Sequence, residues 1–458
     1  MAVPPCAAEL RFIQRVPGFR SHKLVYNPPM SLHSPTAVPH LTTAQSGPLA
    51  HVEQHLLDHQ AAIETWFRQQ WRQSPPPFYT SVDLRNAGYK IAPVDTNLFP
   101  AGFNNLNPAF LSLCIQAMQA AVERVHSQAS RILIVPESHT RNLFYLENVA
   151  ILRSLIEKAG FEVRVGSLLP DLAAPQNIEL PSGKVLTLEP LTRAGDQLRA
   201  GDFVPDLILL NNDLSGGRPA LLENLAQPVA PPLAMGWSTR LKSRHFTHYS
   251  AVAQEFGRKI NLDPWLIEPL FKNCGEVNFM DGSGMNCLQR RTTELLAEIQ
   301  QRYDRYGITA KPFIIVKADA GTYGMGVMTV HGPEEVMSLN RKQRTRMSTT
   351  KEGQAIRNVI IQEGVYTHET WGEPPAVAEP VVYLIDRHVV GGFYRVHKER
   401  SVTENLNAPG MRFEPLAFAD CCISPDRRLG PDAQPNRFYA YGVVARLALV
   451  AAGREMIS

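Results

Sequence analysis

The segment 313–330 reads FIIVKADAGTYGMGVMTV, and the interpretation of the whole chain starts from it. A β-branched apolar run ends at Lys317, three glycines follow, and a second apolar run begins at Val327. Both runs predict strands, so the segment predicts a strand–glycine loop–strand unit. Glycines let a backbone approach a ligand closely and point amides at its oxygens, and the lysine adds positive charge. A polyphosphate suits such a loop, which predicts that the chain uses ATP.

Other glycine-rich nucleotide sites do not match this segment. A P-loop needs a G-x-x-x-x-G-K-[ST] string that opens a helix, and a dinucleotide fingerprint also needs a helix after its glycines. A protein kinase needs its lysine downstream of the loop, together with H-R-D and D-F-G strings, which are absent. A glycine-containing β-turn without a ligand is the simplest alternative. The preceding lysine and the segments downstream favour the phosphate loop over that alternative.

Length and composition predict a chain of two or three domains with ample core. The chain has 458 residues, of which 44% are apolar and 19% are charged. Residues 1–48 are rich in Pro and Ser and predict an N-terminal arm. We predict an N-terminal α/β substrate domain over 49–235 and a second domain over 236–458, divided near Pro231 and Pro232.

Charge and cysteine content limit the classes of partner and the cellular compartment that we expect for this chain. A net charge of +3 is too small to argue for a nucleic-acid surface. The sequence has neither a membrane-spanning apolar run nor a secretory signal, which predicts no membrane partner. Six cysteines in a chain this long do not indicate a disulfide framework, so a reducing cytoplasm is the expected location. The sequence leaves open whether the chain forms a homo-oligomer.

The N-terminal half contains polar loops that follow predicted strands. Strands over 131–135, 161–165 and 206–210 and a helix over 143–158 predict a Rossmann-like βαβ arrangement. In open α/β sheets, ligands bind beyond the carboxyl ends of the strands. The loop side chains are therefore substrate-binding candidates, although helix capping and loop stabilisation are the alternatives. The candidates are Asn97, Arg141, Asn142 and Asn212.

The second half adds several polar positions to the glycine unit. A basic cluster at Arg240, Lys242 and Arg244 is either a solvated face or a source of a phosphate-binding lysine. A strand over 359–365 ends in polar residues. A hairpin carries Arg395, and a carboxylate with two amides follows at Glu404, Asn405 and Asn407.

This order of elements resembles the ATP-grasp ligases, over roughly residues 236–425. In that superfamily two α+β lobes enclose ATP, and a lysine precedes a glycine hairpin that covers the phosphates. The resemblance implies phosphate contacts from Lys242, Lys317, Gly321, Gly324 and Gly326. It implies adenine contacts from Gln362, Glu363 and Val365. It also implies that Arg395 stabilises the transferring phosphoryl group, and that Glu404, Asn405 or Asn407 faces Mg²⁺.

The whole chain is similar to a less common bacterial family of glutamate–cysteine ligases. The strings DTNLFP at 95–100, PESHTRN at 136–142 and KADAGTYGMG at 317–326 carry this similarity. It implies a ligase that uses ATP to activate the γ-carboxylate of glutamate as an acyl phosphate, which the amine of cysteine then attacks. The superfamily's Glu-x-Asn metal string is shifted here, because Glu404 precedes Asn405 directly. Asp386, Glu414 and Asp420 are therefore further metal candidates.

Two other functions stay open at this point. A glutathione synthetase or another amino-acid ligase would use the same loop chemistry. A non-catalytic nucleotide-binding protein would keep Lys317 and the glycines without needing Arg395 or a metal site. The presence of Arg395, Glu404 and Asn405 in order favours an enzyme.

Overall fold

A computed structural model describes residues 48–138, 141–320, 326–348, 356, 358–372, 374–415 and 437–458. The predicted arm over 1–48 lies outside these residues except for Pro48, and so do Gly321, Gly324 and Asp420. The described residues belong to one compact unit. They form helices and strands in several sheets, which confirms the α/β class predicted from the sequence.

The helices are α1 (Pro48–Asp58), α2 (Gln60–Gln73), α3 (Leu111–Val125), α4 (Leu143–Lys158), α5 (Lys242–Ile260), α6 (Met285–Tyr306), α7 (Arg341–Ser348) and α8 (Arg437–Ile457). The strands of the first half are β1 (Tyr79–Asn86), β2 (Ile91–Asn97), β3 (Arg131–Pro136), β4 (Glu162–Ser167), β5 (Gln176–Glu179), β6 (Val185–Ala194), β7 (Gln197–Ala200), β8 (Leu207–Asn211) and β9 (Val229–Ala230). Those of the second half are β10 (Phe271–Glu276), β11 (Ile314–Ala318), β12 (Val327–Val330), β13 (Asn358–Glu363), β14 (Thr370–Trp371), β15 (Ala376–Ile385), β16 (His388–His397) and β17 (Arg412–Pro415).

A largely parallel sheet occupies the N-terminal half. Its strand order is β5-β6-β4-β3-β8-β9, with β7 added to β6. The central pairs are parallel, since β3 pairs with both β4 and β8 in that sense. Helices α3 and α4 cover one face with apolar side chains such as Met118, Val149 and Leu152. Strands buried on both faces explain the continuous apolar runs in this part of the sequence.

The glycine unit belongs to a four-stranded antiparallel sheet. Its order is β10-β13-β11-β12, so the strand that carries Lys317 lies between β12 and β13. Lys317 is directly opposite Val327 on β12. The strand–loop–strand prediction is therefore confirmed for the two strands, and the loop between them begins beyond Ala320.

A six-stranded antiparallel sheet joins distant parts of the chain. Its order is β17-β16-β15-β1-β2, with β14 added to β15. Strands β1 and β2 come from before the predicted domain boundary at residue 235, whereas the other strands come from after it. This sheet lies between the parallel sheet and the helical core, and the boundary itself stays a prediction.

Helix α8 packs against this sheet and is almost wholly buried. Its neighbours are α1, α5, β1, β2 and β15. The one charge within its apolar run, Arg446, donates to both carboxylate oxygens of Glu64 at 2.7 and 2.8 Å. Because it is paired with this carboxylate, the Arg446 guanidinium can be buried in the core. Across the described residues, every helix is too short or too polar to cross a lipid bilayer.

Candidate active site

Lys317 lies near the end of β11, just before the glycine loop, and its side chain is buried. Its ammonium group donates to the carbonyl oxygen of Val94 at 2.6 Å and to the side-chain oxygen of Gln362 at 2.7 Å. Burial lowers the pKa of Lys317 to about 7, although Asp95 opposes the change. A poorly hydrated ammonium group of this kind gains from any anion that reaches it.

A second ammonium group, from Lys242, is hydrogen-bonded to Asp95, the carboxylate whose charge acts on Lys317. Lys242 is the first residue of α5, and its Nζ lies 2.5 Å from Oδ1 of Asp95 and 4.4 Å from the centre of the Trp237 ring. Its backbone N–H donates to the carbonyl of Asp319 at 2.7 Å, which ties the helix to the segment after β11. Burial disfavours the charged form of Asp95, but Lys242 and Lys317 outweigh it and hold the pKa well below its usual range. The two lysines predicted to bind phosphate therefore flank one carboxylate.

One face of the six-stranded sheet carries charged side chains on four adjacent strands. Arg395 on β16 is directly opposite Glu379 on β15, and Asp83 on β1 is directly opposite Asp95 on β2. Nη1 of Arg395 lies 2.6 Å from Glu379 and 2.9 Å from Asp83. Two carboxylates that face each other across strands repel, so cations are needed to hold them together. Burial raises the pKa of Asp83, while Arg395 counteracts that effect.

This face opens to solvent at one end. The Asp95 side chain is 38% exposed, whereas those of Glu379 and Arg395 are 3% and 11% exposed. The Nε atom of Arg395 is buried and has no hydrogen-bond partner among the described residues. A buried guanidinium with an unused donor is an unsatisfied group that a ligand oxygen would satisfy.

Arg85 connects the charged face to two other predicted segments. Its Nε donates to Glu379 at 3.1 Å, its Nη1 to the carbonyl of Val365 at 3.2 Å and its Nη2 to the carbonyl of Glu404 at 2.5 Å. The segment predicted to contact adenine and the loop predicted to face the metal are thus joined to the same sheet as Arg395.

The end of β13 presents different side chains on its two faces. Gln362 faces Lys317, and its buried Nε2 has no hydrogen-bond partner among the described residues. Glu363 points the other way, as alternation along a strand requires. Its two oxygens accept from Lys90 at 3.0 Å each, and the backbone N–H of Leu270 also donates to it at 2.9 Å. The Glu363 carboxylate is therefore part of a buried ion pair.

The loop after β16 borders a cavity of about 220 Å³ beside β12. The cavity is lined by polar and apolar side chains of β12, α7 and this loop, among them Val327, Thr329, Gln343, Arg346, Arg400, Glu404, Asn405 and Asn407. Because β12 directly follows the glycine loop, the cavity adjoins the segment predicted to hold phosphates. The Glu404 carboxylate accepts from Arg400 at 2.6 Å and from the Ser401 N–H at 2.8 Å.

A magnesium ion does not fit the predicted metal residues as they lie here. Mg²⁺ binds mainly through carboxylates, but Glu404 is the one carboxylate among the three predicted ligands, and its charge is already paired with Arg400. Oδ1 of Asn405 accepts from the Asn407 N–H at 3.0 Å. Asp386 pairs with Arg124, and Glu414 lies 3.6 Å from Arg412. Within the described part of the chain, no three His, Cys, Asp or Glu side chains form a group that could hold a metal. The metal assignment stays a prediction.

The predicted substrate residues of the N-terminal half are found in turns and caps. Asn97 accepts from the Phe99 N–H at 3.0 Å, and Asn212 accepts from the Leu214 N–H at 2.9 Å. Asn142 caps α4 by accepting from the Tyr145 N–H at 3.2 Å. Arg141, next to this cap, is exposed. Asn97 lies two residues after Asp95 on β2 and therefore on the same face of the sheet. The substrate roles of all four residues stay predictions.

Gly326 ends the predicted phosphate loop in a left-handed conformation. Its φ is +63°, and a Cβ atom here would lie 2.6 Å from Cδ1 of Ile356. Its carbonyl accepts from the Ala318 N–H at 3.0 Å and closes the base of the loop. Glycine is therefore required for backbone geometry and packing at this position.

Sequence reasoning missed four charged residues of this site: Asp83, Arg85, Asp95 and Glu379. Asp83 and Arg85 alternate with the buried Val82 and Leu84 on β1. Ionisable residues of this kind on a strand that is otherwise buried must be paired inside the protein. That pattern was a usable signal in the sequence, although it does not name the partners.

Comparisons with known proteins agree on one family. A family model described as glutamate-cysteine ligase matches residues 53–456. A solved protein from Methylobacillus flagellatus KT, to which gamma-glutamylcysteine synthetase activity is attributed, is 56% identical, with a TM-score of 0.84 over 91% of this chain and 98% of its own. A glutathione synthetase-like effector from Globodera pallida is 10% identical, with a TM-score of 0.33 over 81% of each chain, which supports no argument. A search of curated proteins found no match.

Proposed function

The chain belongs to the glutamate–cysteine ligase family, and from this premise we propose how its residues join glutamate to cysteine with ATP. The predictions of this family, of an ATP-dependent ligase and of gamma-glutamylcysteine as its product are confirmed by the family match and the 56% identical structure. The roles of single residues, the ATP-grasp and Rossmann-like assignments, and the requirement for Mg²⁺ are proposals. The geometry of the site supports the residue roles and the arrangement of two lobes, whereas the requirement for Mg²⁺ rests on the family alone.

The position of Lys317 carries the proposal. It lies at the base of the glycine loop, is buried, and shares Asp95 with Lys242. A polyphosphate that entered here would meet two ammonium groups whose present partners are one carboxylate, one carbonyl and one amide oxygen. Phosphate oxygens are stronger acceptors for ammonium groups than a carbonyl or an amide. We assign Lys317 and Lys242 to the phosphates of ATP.

The two antiparallel sheets give the nucleotide a place to bind. The four-stranded sheet contributes Lys317 and Gln362, and the six-stranded sheet contributes Arg395. Contacts from Lys317 to Val94 and from Arg85 to Val365 hold these sheets against each other. An arrangement of two lobes around ATP is what the ATP-grasp prediction requires. We assign Gln362 and the backbone near Val365 to the base of the nucleotide, because Nε2 of Gln362 is buried and has no hydrogen-bond partner among the described residues.

Ligation proceeds in two displacement steps. An oxygen of the glutamate γ-carboxylate forms a bond to the γ-phosphorus of ATP, and the bond to the bridging oxygen breaks to release ADP. The cysteine amine, after losing a proton, then attacks the acyl carbon, and phosphate leaves with one carboxylate oxygen. In each step negative charge develops on the oxygens of the reacting groups. Cations that are already fixed in place stabilise this charge without having to move. We assign this stabilisation to Arg395, whose buried Nε has no hydrogen-bond partner in the described part of the chain.

Exclusion of water protects the acyl phosphate from hydrolysis. The glycine loop connects β11 to β12 in sequence, and its closure over the phosphates would exclude water. No protein nucleophile is needed, because both bonds that form join one substrate to another. This chemistry depends on positioning and charge rather than on covalent catalysis.

Phosphate release from ATP, with amino acids added singly and in pairs, tests the proposed substrates. We expect release that requires glutamate and cysteine together. Release with gamma-glutamylcysteine and glycine instead would identify a glutathione synthetase. ATP binding without release under any pair would identify a nucleotide-binding protein that is not a ligase. Replacing cysteine with serine provides a matched control that keeps the amine and changes only the thiol.

A further inference from the structure

Two cysteines on adjacent elements lie in contact away from the charged site. Cys274 is on the edge strand β10, and Cys287 is in the first turn of α6. Sγ of Cys287 lies 4.0 Å from the carbonyl oxygen of Cys274, and each thiol influences the pKa of the other. Both are free thiols and both are partly exposed. The pair is therefore close enough to react and open enough for a small reagent to reach it.

A bulge in β10 turns Cys274 toward the helix. Asn273 is opposite Ile360 and Gly275 is opposite Val359, so Cys274 is an extra residue between two adjacent partners on β13. Gly275 has a φ of +70°, and its N–H donates to the side chain of Asn273 at 2.9 Å. Bulges of this kind redirect a side chain from the regular alternation of a strand. The bulge therefore sets the orientation of Cys274, whose carbonyl lies 4.0 Å from Sγ of Cys287.

The two thiols have different surroundings. Nη2 of Arg290 lies 3.9 Å from Sγ of Cys287, and the positive charge of Arg291 also lowers the pKa of that thiol. The hydrogen bond from Arg290 and the one from Cys274 lower the pKa of Cys287, whereas burial raises the pKa of Cys274 to about 12. The thiolate is the reactive form of cysteine, and cationic neighbours at a helix N-terminus favour it. Cys287 is therefore suited to attack, and Cys274 to react second.

We propose that Cys274 and Cys287 form a thiol–disulfide exchange site that reacts with low-molecular-weight disulfides. The Cys287 thiolate attacks one sulfur of the reagent, forms a mixed disulfide and expels the other half as a thiolate. Cys274 then gives its proton to solvent and attacks Sγ of Cys287, which expels the second half of the reagent. Two cysteine thiols are oxidised to one disulfide, and the reagent is reduced to two thiols.

The resulting bond would join β10 to α6. Strand β10 pairs with β13, which carries Gln362 and Glu363, so the exchange site adjoins the sheet of the candidate nucleotide site. The inference itself does not depend on the ligase function, because it concerns only the two thiols and their arginines. Cys114 has a different environment, since it is buried and its thiol contacts the carbonyl of Val390 at 3.7 Å.

Exchange with 2-hydroxyethyl disulfide, followed by peptide mapping in a mass spectrometer, tests the proposal on the full chain. In the wild type we expect a peptide pair linked through Cys274 and Cys287. In Cys274→Ser we expect the reaction to stop at the mixed disulfide on Cys287. In Cys287→Ser we expect Cys274 to react more slowly than Cys287 does, by roughly tenfold or more, because less of it is thiolate.

Arg290 contributes to the reactivity of the Cys287 thiol, so Arg290→Gln should slow the first step of the exchange. Arg305→Gln is the matched control, because it removes the same charge at the far end of α6. Reaction of the wild type that ends with separate mixed disulfides on both cysteines would overturn the proposal. Equal rates for the two single cysteine variants would also overturn it. Reduction with dithiothreitol should restore both thiols.

Discussion

Lys317 and Gln362 are joined by a 2.7 Å hydrogen bond from the lysine ammonium group to the glutamine side-chain oxygen. The two residues lie diagonally across paired strands, because Lys317 is opposite Ile360 and Gln362 is opposite Ile315. The bond leaves Nε2 of Gln362 without a hydrogen-bond partner among the described residues. A buried ammonium group and an amide donor without a partner in the described part of the chain are thus held next to each other, just before the glycine loop.

Replacing Lys317 should impair the use of ATP strongly. Lys317→Met keeps much of the apolar stem and removes the charge, and we expect kcat/KM for ATP to fall by roughly a hundredfold or more. Lys342→Met is the control, because Lys342 is exposed on α7. Steady-state kinetics with ATP varied at saturating amino acids measures the effect. A change in kcat/KM within about twofold corresponds to little free energy. Such a result would show that Lys317 does not bind the phosphates.

ATP binding should take up a proton above neutral pH. Burial lowers the pKa of Lys317 to about 7 in the free protein, where Asp95, Lys242, Asp83 and Arg85 also act on it. Bound phosphates raise the pKa of the ammonium group, so at pH values above about 7 binding must add a proton. ATP affinity should consequently fall as the pH rises beyond that value.

Calorimetry at alkaline pH in buffers of different ionisation enthalpy measures this proton uptake. We expect a buffer-dependent binding heat in the wild type that is smaller in Lys317→Met. Identical buffer dependence in the two proteins would show that Lys317 is charged in both states.

Replacing Arg395 should affect turnover more than nucleotide binding. Arg395→Lys keeps a positive charge near Asp83 and Glu379 but loses the Nε donor, so we expect kcat to fall by roughly a hundredfold. The Kd for ATP should change by less than about tenfold. Arg387→Lys, at an exposed position in the adjacent turn, is the control. A variant with weakened ATP binding and an unchanged kcat would assign Arg395 to binding alone.

Glu363 should matter for stability through its pair with Lys90, whose ammonium group is fully buried. Glu363→Leu leaves that cation without its carboxylate, and we expect unfolding free energy to fall by about 3–5 kcal/mol. The double variant Lys90→Met/Glu363→Leu should recover much of the loss, because no unpaired charge remains. Urea denaturation of the three proteins measures this. Similar stability of the single and double variants would contradict the assigned role of the pair.

Local elements of this fold were predictable because their signals are local. The helix predicted over 143–158 is α4, with the same limits, since Asn142 caps its start and Gly160 follows its end. The strands on either side of the glycine loop, with Lys317 near the end of the first, were also predicted correctly. In both cases the hydrophobic period and the turn residues are adjacent in sequence.

The charged face could not be predicted, because its members are brought together only by the sheet. Asp83 and Arg395 are separated by 312 positions, yet their side chains lie 2.9 Å apart. Nothing in a strand's own pattern specifies which distant strand pairs with it. The same reason applies to Glu363, for which the resemblance implied contact with adenine, whereas the partner of its side chain, Lys90, comes from the turn between β1 and β2.

The transfer of oxygen from glutamate to phosphate tests the central claim most directly. Glutamate labelled with ¹⁸O in its γ-carboxylate is incubated with ATP, cysteine and the enzyme, and the released phosphate is analysed by mass spectrometry. If the γ-carboxylate is activated as an acyl phosphate, each phosphate released with gamma-glutamylcysteine carries one labelled oxygen. Phosphate that contains no label while the dipeptide forms would contradict the account.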